Sequence, residues 1–100
     1  MSLPDGLLDA AKNYLDITFE DPAGDTKLAG ILLRGMKRLD SIAGAPQDYA
    51  VEDSARALLF DYARYVRAGA MDEFFKNYQS DLLELQMNTV VSDSSAEEGG

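Results

Sequence analysis

ARALLFDYARYVRAGAMDEFFKNYQSDLLELQM, residues Ala55 to Met87, holds three arginines and six of the nine aromatic residues in a chain of 100. The fold turns on how its apolar positions repeat. In the second half Met71, Phe74, Phe75, Tyr78, Leu82 and Leu85 recur at helical spacing, a stripe roughly 100° wide. Asp72, Glu73, Lys76, Ser80 and Glu84 fall on the other side. This is the pattern of a helix with one face in a core. In the first half Ala55, Leu58, Leu59, Tyr62, Tyr65 and Val66 share a broad apolar face. Arg56, Phe60, Arg64 and Arg67 take a narrower arc opposite, at spacings of four, four and three. Gly69 separates the halves and suits either a turn or a kink.

Two further helices precede this stretch. One is predicted from about Pro4 to Asp16, with Ser2 as N-cap and Leu7, Leu8, Ala11, Tyr14 and Leu15 on one side. ITFEDPAGD then interrupts as a loop. A helix from about Asp25 to Ala43 follows, capped by Asp25, with Leu28, Leu32, Gly35, Leu39 and Ile42 on one face and Leu33 off it. Gly30 and Gly35 each cost about 1 kcal/mol against alanine, a loss that close approach of a neighbouring helix would offset. Gly44 and Pro46 end that helix, and the third begins between Val51 and Asp53 and reaches about Ala68. The fourth runs from Ala70 or Met71 to Met87.

After Met87 the sequence NTVVSDSSAEEGG is small, polar and acidic, and too poor in apolar groups to offset its ordering entropy. The expected fold is all-α: a small bundle of about four helices over residues 1–87, with a flexible acidic C-terminal tail over 88–100. Leu15, Leu32, Leu39, Leu58, Leu59, Tyr62, Phe74, Tyr78 and Leu82 are the expected core.

Composition narrows the function. Hydrophobic residues at 46% and charged residues at 27% belong to a globular chain, not a disordered one. A formal charge of −9 opposes non-specific wrapping of DNA, which needs a basic surface to displace counterions. With no cysteine, disulfides and thiolate metal sites are excluded. No apolar run reaches the roughly 20 residues of a membrane span, so no membrane association is expected. MSLPDGLL shows no secretory pattern, and the expectation is a protein made and used inside a cell.

Catalysis finds little support. There is no histidine or cysteine, and GDTKLAGILLRG lacks the spacing of a phosphate-binding loop. EDPAGD groups three carboxylates without the terminal bidentate glutamate of a calcium loop. No enzymatic activity, cofactor or metal is expected.

The arginine arc allows three roles. It is a solvated face held by local pairs, a contact with a neighbouring subunit or partner, or a row of phosphate ligands. Glu52 before Arg56 and Asp61 before Arg64 have the spacing of helix pairs worth about 0.2–0.5 kcal/mol each. Phe60 favours a contact, because a large ring among arginines sits poorly in water. Arg56, Phe60, Arg64 and Arg67 are therefore candidate inter-subunit or partner contacts, with Glu20, Asp21 or Asp25 of an adjacent chain as acceptors. Val90 and Val91 are the tail's apolar anchors.

The order LLDAAKNYLDIT, FEDPAGD, KLAGILLRGMKRLDSIAG and YAVEDSARALLFDYARYVRAGAMDEFFKNYQSDLLELQM resembles the head–tail connector (head completion adaptor) family of tailed phages, over about Leu7 to Met87. YLDIT and LFDYARY are the local matches. The resemblance implies a structural virion protein of the bacteriophage neck, present in the host cytoplasm during assembly. It implies a homo-oligomeric ring, typically dodecameric, that docks on the portal protein. Such a ring receives the neck or tail completion protein and extends the channel through which DNA passes without specific binding. It implies no cofactor. An alternative is a small helical DNA-binding or DNA-packaging accessory protein using Arg56, Arg64 and Arg67 on phosphates.

Overall fold

The computed structural model describes residues 3–88. Ser2 and residues 89–100, with Val90 and Val91, lie outside the described residues, whereas Asn88, expected to open the tail, is helical. The chain folds as α1 (Leu7–Tyr14), α2 (Pro22–Ala43), α3 (Ser54–Arg67), α4 (Met71–Asn77) and α5 (residues 79–88). Among the described residues there is no strand, so the fold is all-helical. None of these helices is long and apolar enough to cross a membrane.

α2 is the spine, packing on α1 and most extensively on α3. It starts three residues before the expected Asp25. Asp21 is extended and Pro22 opens the helix, where its fixed φ suits the first turn and its missing N–H costs nothing. Asp25 is thereby freed from capping, and its carboxylate lies 3.0 Å from Lys12 Nζ on α1. Gly44 ends α2 as expected, with φ 89° and its N–H donating to Asp40 O at 2.9 Å. Of the two glycines expected inside this helix, Gly35 is buried where α2 crosses α3. Gly30 is not at a helix crossing: a β-carbon there meets only the Arg34 guanidinium, at 3.3 Å.

α1 is shorter than predicted because Gly6, at φ 80°, turns the chain just before it. α1 stops at Tyr14, and Asp16 (φ 59°) closes its end with the Ile17 N–H donating to Lys12 O at 2.8 Å. α3 begins at Ser54, where the Asp53 carboxylate accepts the Ser54 N–H at 2.8 Å. Gly69, at φ 71°, makes a turn between α3 and α4, closed by the Ala70 N–H on Tyr65 O at 2.8 Å.

The predicted helix over Met71–Met87 is two helices. Tyr78, at φ −106° and ψ 20°, breaks it without a glycine or proline. Packing holds the break: the Tyr78 ring stacks on Phe74 (5.0 Å, 24°) and meets Tyr65 edge-on (5.7 Å, 88°). α5 then runs between the C-terminal part of α2, at Ile42, and the N-terminal part of α3, at Ser54 and Leu58.

The core holds Leu7 and Ala11 of α1 against Leu28, Leu32 and Leu39 of α2, Leu59 and Tyr62 of α3, Phe74 of α4, and Leu82 and Leu85 of α5. Leu15 and Tyr78, expected in it, are only half-buried at its edge. Tyr14 and Met71 of the predicted apolar stripes are exposed. Tyr49, from the loop before α3, is buried instead. Its hydroxyl donates to Asp40 Oδ1 at 2.7 Å, and the same carboxylate oxygen accepts the Gln47 N–H at 3.0 Å. One half-buried acid on α2 thus pins the loop. Burial, then the bond to Asp40, holds the Tyr49 phenol well above its ordinary pKa.

Candidate interaction surfaces

α3 splits the four residues of its predicted polar arc. Phe60 does not face solvent: it is 7% exposed, and Tyr14 of α1 lies over it with ring centres 5.6 Å apart. This corrects its placement as an open contact, because α1 covers that side of α3. Arg56 is half-buried, its guanidinium 5.4 Å from the Phe60 ring centre and its Nη1 donating to Ala50 O at 3.3 Å. Its Nε is buried without a hydrogen-bond partner. Both residues belong to the α1–α3 seam.

Arg64 and Arg67 are exposed. Arg64 Nη2 lies 3.5 Å from Asp61 Oδ1 and donates to the Tyr78 hydroxyl at 3.3 Å. The Tyr14 hydroxyl donates to the same Asp61 oxygen. That bond raises the Tyr14 pKa, since ionisation would set a phenolate against a carboxylate. Tyr78 is raised mainly by burial, then by the charge of Asp61. The predicted local pair of Asp61 and Arg64 is present and joins α1, α3 and the α4–α5 break in one polar cluster.

Arg67 lines a groove of about 380 Å³ together with Phe19, Asp21, Asp25, Lys27 and Arg34. Two of the acceptors expected on a neighbouring chain, Asp21 and Asp25, line the same groove as Arg67 in its own chain, and Asp25 is paired with Lys12. Phe19, 62% exposed, is the largest apolar side chain left open in this region.

A second basic surface lies on α2, outside the stretch that drew attention in the sequence. Lys27, Arg34, Lys37 and Arg38 are all exposed and fall within an arc of roughly 100° opposite the buried face. The remaining positions of that arc, Ala23, Gly30 and Ser41, are small and uncharged. Spacings of seven, three and one were readable as a row, but which arc of α2 stays open depends on where α3 packs. Arg38 is held over the Phe75 ring at 4.9 Å. Among the described residues the ion pairs are Lys12–Asp25 and Arg64–Asp61, so none engages these four cations.

Acidic side chains gather elsewhere. A groove of about 210 Å³ between α3 and α5 is lined by Asp61, Asp81 and Glu84 together with Ser54 and Ala57. Along α5, Leu83 and Met87 are exposed at 56% and 60%. Among the described residues no three acidic, histidine or cysteine side chains are grouped as metal ligands would be. Comparison with family models, curated proteins and solved structures gives no match.

Proposed function

We propose that this chain is a structural assembly protein of the phage head–tail connector kind. In this reading it forms a homo-oligomeric ring between the portal protein and the neck or tail completion protein, and extends the DNA channel. The observation that carries the reading is the order of parts: a short α1, an acidic connection, a long α2 closed by a glycine turn, an aromatic-rich α3 and a last helical pair. Exposed Phe19, Leu83 and Met87 support it, because a ring subunit has apolar surface to bury against neighbours. The charge of −9 suits a channel in which DNA slides without sticking. The site of action is the virion neck, reached from the host cytoplasm during assembly. The chemistry is assembly, with no reaction catalysed.

Native mass measurement, alone and with a portal protein, tests this. A closed ring that joins portals is expected; a monomer that ignores them overturns the reading. The exposed cations of α2 favour a second reading, a DNA-binding or packaging accessory protein. Salt-sensitive binding of duplex DNA by the isolated chain would support it.

A further inference from the structure

Resting on the ring reading, we infer that the solvent face of α2 is the surface by which one copy grips the next, and that the acidic α3–α5 groove is what it grips. Lys27, Arg34, Lys37 and Arg38 extend over eleven residue steps of one rigid helix, about 16 Å. No carboxylate shares their arc. The two acids of α2, Asp25 and Asp40, are turned instead to Lys12 and to Tyr49. Among the described residues none of the four is in an ion pair, although Lys27 and Arg34 share a groove with Asp21 and Asp25.

The complementary charge lies across the molecule. Ala57 and Asp61 in the acidic groove are on the side of α3 away from Leu59 and Tyr62, which pack on α2 at Gly35. Asp81 and Glu84 are exposed there, while Asp61 is already taken by Arg64 and Tyr14. Faces of opposite charge on opposite sides of one subunit cannot meet within it, but a second copy brings them together. The small side chains of Ser54 and Ala57 line the same groove as the acids. Arg38, steadied over Phe75, reaches the contact with part of its freedom already lost.

Such a contact is head-to-tail. It closes into a ring if the rotation between copies closes, and makes a filament otherwise. Repulsion between copies of charge −9 is screened beyond about 10 Å at 0.1 M salt, whereas the paired faces touch at short range. A nucleic acid would meet the same net repulsion, whereas a second copy offers Asp81 and Glu84, which are in no ion pair among the described residues.

The test is sedimentation of the full chain at about 0.1 M salt. The proteins are wild type, an Arg34→Glu/Arg38→Glu variant, an Asp81→Lys/Glu84→Lys variant, and an equal mixture of the two variants. Wild type is expected to assemble, and each variant alone to associate at least about tenfold more weakly. Helicity by circular dichroism should stay unchanged. The mixture should regain assembly, because each variant then offers the other an oppositely charged face. If the first pair costs helicity, Lys27→Glu/Lys37→Glu replaces it. Wild-type assembly by the α2 variant overturns this interface while leaving the ring reading standing. A mixture that stays dissociated removes the acidic groove as the occupant. A monomeric wild type overturns interface and ring together. If that monomer also binds short duplex DNA through Arg34 and Arg38, the α2 face belongs to nucleic acid.

Discussion

Gly35 on α2 sits directly against the ring of Tyr62 on α3, so that a β-carbon at position 35 would lie 2.7 Å from Tyr62 Cδ1. The buried ring has little room to retreat. Gly35→Ala should therefore destabilise by about 1–3 kcal/mol from overpacking. That loss outweighs the roughly 1 kcal/mol alanine gains in helix propensity. Gly30→Ala meets only the movable end of Arg34 and should stabilise by up to about 1 kcal/mol. Urea midpoints of the two variants should move in opposite directions; matching shifts would mean that the crossing is looser than described.

Phe74 is fully buried and joins α3 to α4 through its ring. It meets Tyr62 and Tyr65 edge-on and stacks on Tyr78. Phe74→Ala should cost about 3–5 kcal/mol in denaturant unfolding. A loss under about 1 kcal/mol would place the ring outside the core.

Tyr49 makes stability fall in alkali. Its folded pKa is raised above the unfolded value of 10.0, and Tyr14 and Tyr78 shift the same way. Below pH 10 the phenols are protonated in both states and their contribution is complete. Above it the unfolded chain releases protons first, so stability drops, by up to about 1.4 kcal/mol per pH unit for Tyr49 and by less for the more solvated Tyr14 and Tyr78. Tyr49→Phe should cost about 0.5–1.5 kcal/mol at pH 7 and flatten the alkaline slope. An unchanged slope in pH-dependent melting would show that Tyr49 is solvated.

Asp53 caps α3, whereas Asp25, the residue the sequence suggested as the cap of α2, makes a partly exposed pair with Lys12. Asp53→Ala should lower stability by about 1 kcal/mol. Asp25→Ala should lower it by less than about 1 kcal/mol, and its effect should fade in salt. The reverse ranking by thermal melting would return the capping role to Asp25.

Much was legible in the linear pattern. The spacing of Leu28, Leu32 and Leu39, the run Leu58, Leu59 and Tyr62, and Phe74 with Leu82 marked buried faces, and all eight are core. Gly44 and Gly69 marked the turns, because positive φ there is cheap only for glycine. What escaped was governed by contacts distant in sequence. Phe60 was read as a contact for another chain because the arc around it is arginine-rich; α1 of the same chain covers it through Tyr14, forty-six residues earlier. The break at Tyr78 has no local marker; its ring is set edge-on against Tyr65 of α3, thirteen residues earlier. Tyr49 looked like a loop residue until Asp40 supplied an acceptor. Periodicity tells which side chains share a face, because that is a property of one helix. Whether a face is covered, and by which neighbour, is a property of two or more, and it separates the seam at Arg56 from the open cations of α2.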